Sequence, residues 1–130
     1  MSQIKYKRIM LKVSGEALAG PAHRGLDFDV INTVCKAIKE CVDLGVQVGL
    51  MVGAGNFWRG VKDGADKMQR SHADAMGMLG TVMNSIAVAD ALEKHGVDAR
   101  VLSAVEMHKF CEYFTRDTAD RYTSQRYRNR

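Results

Sequence analysis

An apolar run in the first half of the chain ends abruptly at three small residues. Residues 46–52 (Val-Gln-Val-Gly-Leu-Met-Val) show no polar face, which is typical of a strand covered by helices on both sides. Gly53, Ala54 and Gly55 follow, and they leave the backbone N–H groups open to close approach by an anion. The pattern predicts a buried strand and a phosphate-binding loop, although an ordinary tight turn has the same pattern.

A second strand-like run, residues 8–13, carries a lysine near its carboxyl end. Lys12 is followed closely by Ser14 and Gly15, so an ammonium group and a small-residue backbone are available to a phosphate. A solvated lysine at a strand end has the same pattern, and the Walker A spacing is absent. Arg59, four residues after Gly55, can supply a cationic fork to the same anion.

One helix is predicted between these two strand-like runs and another after them. Apolar residues recur at helical spacing over residues 30–44, with Asp27 or Asp29 as the candidate N-cap and Gly45 as the stop. A strand, a helix and a strand in this order predict parallel pairing through a right-handed crossover.

A longer helix is predicted over residues 71–95, with Ser71 as its candidate cap and Asp74 in its first turn. Gly77 and Gly80, nearly one turn apart, would let another backbone come close. The apolar, Met-rich surface predicts either deep burial or an oligomer interface. Asp74 either binds sugar hydroxyls, if the helix start faces the Gly-rich loop, or is a first-turn acid favoured by the helix dipole.

The remaining segments are less regular. We predict a mobile loop at residues 16–25, a third strand at 96–103 and a disordered basic tail at 123–130. A short helix is predicted within residues 106–122, anchored by Phe110, Tyr113 and Phe114.

Composition narrows the class of protein. The chain has 130 residues, which is one domain by length, and it has no run of eighteen apolar residues and no signal-peptide pattern. We therefore expect a cytoplasmic protein with no membrane partner. Its three cysteines are odd in number and lack Cys-x-x-Cys spacing, so free thiols are expected and no metal site is predicted.

Charge argues against a nucleic-acid-binding body. The first 120 residues hold 15 Lys and Arg and all 15 Asp and Glu, so the net charge of +4 comes entirely from four arginines near the end of the chain. Nucleic-acid binding through that tail is a minor alternative.

Three blocks of sequence together resemble the bacterial uridylate (UMP) kinases, which have the amino-acid-kinase fold. They are Tyr-Lys-Arg-Ile-Met-Leu-Lys-Val-Ser-Gly-Glu-Ala-Leu at 6–18, Gly-Ala-Gly-Asn-Phe-Trp-Arg-Gly at 53–60 and His-Ala-Asp-Ala-Met-Gly-Met-Leu-Gly-Thr-Val-Met-Asn at 72–84. The resemblance implies an α/β fold, a three-layer α/β/α sandwich with a mainly parallel sheet. Residues 1–122 would be the amino-terminal part of that domain.

The resemblance also implies a reaction and a set of roles. The family transfers the ATP γ-phosphoryl group to UMP with Mg²⁺, giving UDP and ADP for pyrimidine nucleotide synthesis, as a homohexamer built from dimers. The implied catalytic residues are Lys12 and Arg59; the implied ATP contacts are Lys12, Ser14, Gly15, Gly55 and Arg59; the implied UMP contacts are Ala54 and Asp74. Self-association would involve the helix at residues 71–95.

Members of that family are nearly twice as long as this chain. A Thr-Gly-Asn-Pro-type loop and the adenine-binding half are absent from the sequence. We therefore expect a truncated kinase that is weakly active or inactive, and the alternative is a non-catalytic fragment that binds nucleotide or associates with itself. Related kinases acting on carbamate, glutamate or aspartate share the early lysine block, but Asp74 and the Met-Gly-Met-Leu stretch favour uridylate.

Overall fold

The computed structural model describes residues 6–58, 67–103 and 111–128. Its strands are β1 (Arg8–Val13), β2 (Gln47–Val52), β3 (Leu102–Ser103) and β4 (Glu112–Tyr113). Its helices are α1 (Gly15–Ala19), α2 (Phe28–Asp43), α3 (Arg70–Lys94) and α4 (Arg116–Arg128), with a 3₁₀ turn at Gly20–Ala22.

β1 and β2 pair in parallel, and this pairing sets the position of everything that follows the strands. The register runs from Arg8 opposite Gln47 to Val13 opposite Val52, so both strands end at the same level. The Gly53 N–H continues the ladder by donating to the Val13 carbonyl at 2.9 Å. The predicted strand, helix and strand with parallel pairing are confirmed.

α2 forms where its caps and its apolar spacing agree. The Asp27 carboxylate accepts hydrogen bonds from the backbone N–H groups of Asp29 and Val30, at 3.0 and 3.3 Å, which satisfies two donors at the helix start. Of the two residues predicted as candidate N-caps, Asp27 is therefore the one that caps the helix. The buried side chains recur at helical spacing; they are Ile31, Cys35, Ile38 and Val42.

The core lies between α2, α3 and one face of the β1–β2 sheet. Val48, Leu50 and Val52, alternate residues of β2, pack against a buried cluster from the two helices. The Cys35 thiol lies 3.9 Å from the Val88 carbonyl of α3, so the two helices are in direct contact. All three cysteines are free thiols, as predicted.

The opposite face of the sheet is only partly covered, so the prediction of a strand buried on both sides is wrong. Met10 and Met51 lie on this face and are 66% and 58% exposed. Arg8, whose side chain shares the face by strand alternation, forms a 3.0 Å ion pair with Asp120 of α4. α4 thus supplies a partial third layer, and the predicted α/β fold with parallel strands is confirmed.

Three local predictions are wrong. Residues 16–25, predicted as a mobile loop, instead contain most of α1 and the 3₁₀ turn, because the Ser14 hydroxyl caps α1 and Leu18 and Ala19 are buried. Ser71 does not cap α3, whose N-cap is Gln69 without a side-chain hydrogen bond. The third strand was predicted over residues 96–103, but only β3 forms there, and it pairs with β4. The Val97 N–H is not available to a strand, because it donates to the Leu92 carbonyl at the end of α3.

The end of the chain also differs from expectation. The predicted disordered tail does not hold for residues 123–128, which continue α4. That helix begins where the Thr115 hydroxyl accepts a 3.0 Å hydrogen bond from the Thr118 N–H, a cap that offsets the poor apolar periodicity. Tyr113 lies in β4 and Phe114 is exposed, so neither anchors the predicted short helix, and Phe110 lies outside the described residues.

Within the described part of the chain, α3 is the one helix long and apolar enough to cross a membrane by length and composition. A core helix of a soluble protein passes the same test. α3 packs along α2 and contributes Val88, Ala91 and Leu92 to the core, which is the behaviour of a core helix.

Burial predicts the reactivity of the cysteines. Cys35 is fully buried, and burial raises the pKa of its thiol because the thiolate is desolvated. With iodoacetamide at mildly alkaline pH, we expect the half-buried Cys41 to be alkylated first and Cys35 to be protected until the chain unfolds. Because the pKa of Cys35 is higher in the folded chain than in the unfolded chain, its thiol stabilises the fold fully at pH values below the ordinary thiol pKa. This contribution to the free energy of unfolding is lost as the pH rises through the pKa of the folded state. Equal alkylation rates for the two thiols, measured by peptide mass spectrometry, would contradict this assignment.

Candidate functional site

Two small-residue loops meet where β1 and β2 end. Ser14 and Gly15 follow β1, and residues 53–55 follow β2. A Cβ atom on Gly15 would lie 2.5 Å from the Gly55 nitrogen, and one on Gly53 would lie 3.3 Å from the Gly15 nitrogen. The two backbones therefore touch, and Gly15 is required because any side chain there would collide with the second loop.

The predicted cation lies at the same end of the sheet. Lys12 is exposed on β1, opposite Met51 of β2. No other described residue forms an ion pair with Lys12, so its ammonium is open to a ligand. The Ser14 hydroxyl already has a partner, because it accepts a 3.1 Å hydrogen bond from the Ala17 N–H. The Ser14 side chain thus acts as a helix cap in this structure.

The loop after β2 rests on the amino-terminal half of α3. Ala54 is buried against Gly80, where an added Cβ would lie 2.8 Å from the Ala54 Cβ. Trp58 donates from Nε1 to the Ala73 carbonyl at 2.9 Å, and its ring lies over Gly77 at 3.9 Å from the position of an added Cβ. The predicted close approach is confirmed at Gly80, where the neighbour is this loop, whereas Gly77 meets only the Trp58 side chain at ordinary contact distance.

Two buried asparagines in the site were missed by the sequence analysis. Asn56 of the loop and Asn84 of α3 are 3% and 0% exposed, and their side-chain amides hydrogen-bond each other. A detectable signal existed for Asn84, because an amide between Met83 and Ile86 interrupts an otherwise apolar helix. Its partner could not be identified from the sequence, since the two residues are 28 positions apart.

Asp74 lies just beyond the first turn of α3, because the helix begins at Arg70, so the prediction of a first-turn acid is wrong. Its carboxylate is exposed and forms an ion pair with Arg70 at 3.2 Å. The neighbouring Ala73 accepts the hydrogen bond from Trp58, so the start of the helix lies beside the end of the loop. Arg59, predicted to contact nucleotide phosphates, lies outside the described residues and stays a prediction.

The arrangement offers backbone amides and one cation, and no metal centre. In residues 6–58, 67–103 and 111–128, no three His, Cys, Asp or Glu side chains come together in a way that could hold a metal ion. An uncharged loop next to an unpaired lysine favours an anionic ligand, since small residues leave the N–H groups accessible. Chemically, such a site can hold a phosphate and neutralise part of its charge.

Two glycines of α3 provide a matched test of the loop contact. Gly80→Ala would overpack Ala54 at a cost of roughly 1–3 kcal/mol, of which better helix propensity returns up to about 1 kcal/mol. Gly77→Ala meets only ordinary contact with Trp58, so it should leave stability unchanged or raise it by up to about 1 kcal/mol. Urea unfolding of both variants checks this, and equal stabilisation by the two substitutions would show that the loop does not pack as described.

Comparison with known proteins agrees with this geometry. The chain is similar to the crystal structure of UMP kinase from Bacillus anthracis, with a TM-score of 0.86 and 29% sequence identity over 94% of this chain and 50% of that one. It is similar to UMP kinase from Ureaplasma parvum with a TM-score of 0.84 and 29% identity, over 95% of this chain and 52% of that one. The chain thus spans about half the length of these structures. The model of the amino acid kinase family matches residues 7–129, and the chain therefore belongs to the amino acid kinase family.

Proposed function

We propose that the chain carries the phosphate-binding part of a UMP kinase, which transfers the γ-phosphoryl group of ATP to UMP. The observation that carries the proposal is the contact between Gly15 and Gly55, in which a Cβ added to Gly15 would lie 2.5 Å from the Gly55 nitrogen. The same end of β1 carries the exposed Lys12. Phosphoryl transfer asks a protein mainly for positioning and charge neutralisation. Backbone amides and an ammonium group can provide both.

Each predicted residue receives a role under this proposal. Lys12 neutralises phosphate charge on ATP, and the backbone at Ser14, Gly15 and Gly55 donates to phosphate oxygens. Arg59 would add a bidentate contact to the same phosphates. On the acceptor side, Ala54 offers its backbone to UMP and Asp74 accepts from the ribose hydroxyls, after exchanging its exposed contact with Arg70.

Mg²⁺ enters this proposal as part of the ATP complex. Magnesium keeps several waters and is usually held by substrate phosphates with one or two carboxylates. The described residues offer no carboxylate cluster, which fits a metal that arrives on the nucleotide.

The length of the chain bears on turnover. It covers 50% and 52% of the two similar UMP kinase structures. We therefore propose weak or absent turnover by the isolated chain, with binding of ATP and UMP retained at the two loops.

The alternative, a non-catalytic fragment that associates with itself, is favoured by a separate observation on α3. Large apolar side chains recur at helical spacing on its outer surface and are exposed; they are Met76, Leu79, Met83 and Ile86. An apolar stripe of this kind is typical of a protein interface. Nucleotide binding and self-association are compatible, because the loop contacts a different face of the helix.

The proposed function predicts that the chain binds nucleotides. By titration calorimetry the full chain should bind Mg-ATP and UMP, and Lys12→Ala should weaken Mg-ATP about tenfold or more, the effect of losing one hydrogen bond to a charged group. Lys36→Ala removes a lysine exposed on α2 and is the matched control, which should bind like the wild type. Any phosphoryl transfer should be weak and confined to UMP in a panel with CMP, aspartate and glutamate. Turnover of an amino acid, or unchanged Mg-ATP binding by Lys12→Ala, would reject the proposal.

The exposed apolar side chains of α3 predict self-association. Sedimentation velocity at micromolar concentration should show association of the full chain and a shift to monomer in the double variant Leu79→Gln, Met83→Gln. Phe28→Gln removes an apolar side chain that is also exposed but lies on α2, and it should leave association unchanged. A wild-type chain that is a monodisperse monomer would exclude this interface.

A further inference from the structure

The Asn56–Asn84 pair is fully satisfied in its hydrogen bonding. Asn56 donates from Nδ2 to Asn84 Oδ1 at 3.0 Å, and Asn84 donates from Nδ2 to Asn56 Oδ1 at 2.7 Å. The second proton of each amide goes to a backbone carbonyl, that of Gly25 from Asn56 and that of Gly53 from Asn84, both at 2.7 Å. Each of the two amides therefore uses both donors and its acceptor.

The orientation of both amides is determined by their surroundings. The carbonyls of Gly25 and Gly53 can only accept, so each asparagine must turn its nitrogen toward them. Rotating either side chain by half a turn would place two oxygens face to face in a buried site. The pair is thus a single arrangement rather than one of several equivalent ones.

The pair joins segments that are distant in the sequence. Asn84 lies on α3, Asn56 lies in the loop after β2, and Gly25 lies before α2; the Gly25 N–H also donates to the Asn56 carbonyl at 3.1 Å. A Cβ on Gly15 would lie 2.6 Å from Asn56 Oδ1, so the Asn56 side chain also contacts the loop after β1. Both candidate phosphate loops therefore pack against one amide.

We propose that the Asn56–Asn84 pair positions the loop at residues 53–55 so that the N–H groups of Ala54 and Gly55 face a nucleotide phosphate, while the Gly53 N–H stays bonded to the Val13 carbonyl. The inference rests on the proposed function, and it identifies two positioning residues that need not touch the ligand. Asn84 fixes the Gly53 carbonyl from the side of α3, and Asn56 fixes the other end of the same loop. A peptide held at both ends keeps its N–H groups pointing one way, which lowers the ordering cost of binding an anion.

The test substitutes one amide by its nearest isostere. Asn84→Asp keeps the shape but places a second oxygen against the Gly53 carbonyl and Asn56 Oδ1, which are both acceptors. Asn32→Asp makes the same chemical change at an exposed position on α2 and is the matched control. If Asn84→Asp does not fold, Asn84→Ser, which keeps a hydroxyl donor, takes its place.

Two readouts separate positioning from general stability. Site-resolved amide hydrogen exchange should speed up about tenfold or more at Gly25, Phe57 and Trp58, whose N–H groups bond within or to this loop, while α2 amides stay unchanged. Affinity for UMP, Mg-ATP and inorganic phosphate should fall by up to about 100-fold, the scale of a small misplacement of binding groups. The control should change neither readout.

The outcomes are distinguishable. Equal acceleration of exchange in the loop and in α2 would make the pair a general stability element and overturn the inference, as would unchanged phosphate and nucleotide affinity beside a loosened loop. If the wild-type chain binds none of the three probes, the proposed function fails, and the exchange comparison alone then decides whether the pair holds the loop.

Discussion

The backbone contact between Gly15 and Gly55 is the constraint on which the rest of the site depends. It exists because β1 and β2 pair in parallel with Val13 opposite Val52, which brings the residues after both strands to the same edge of the sheet. A parallel pair needs a crossover helix, and α2 supplies it with a capped start and a regular apolar face. The loop contact is therefore a consequence of the strand register, and a shift of one residue in that register would separate the two glycines.

The parts of the fold that the sequence predicted are those specified by local signals. β1, β2 and α2 form where the sequence predicted them, and Asp27, one of the two candidates, caps α2. The small residues after both strands were predicted to leave the backbone open to an anion; that the two loops also touch each other was not predicted and is seen only in the structure. These features are determined within a few residues, so one sequence is enough to find them.

The parts that could not be predicted depend on contacts between distant residues. α1 has five residues, too few for propensity to stabilise a helix in isolation, and it forms because Leu18 and Ala19 are buried under other elements. The sequence of α4 is mostly polar, and its arginines are typical of a solvated tail. The helix is nevertheless held to the sheet by the hydrogen bond between Asp120 and Arg8, two residues 112 positions apart. The asparagine pair is the same kind of case, since each amide is unremarkable until its partner is known.

α3 shows how the site determines the composition of its neighbours. Its buried face toward the loop is built from Ala73, Gly80 and Asn84, because a backbone that must come close leaves no room for large side chains. The large apolar residues are displaced to the outer face, where Met83 is 54% exposed. Where α3 faces the loop, this reverses the usual arrangement of large residues inside and small or polar residues outside. Further along the helix, Val88 and Leu92 are buried in the core as usual. The face of α3 toward the loop is therefore specified by the hydrogen bonds of Asn84 and by close backbone contact at Gly80, and not by the burial of large apolar side chains.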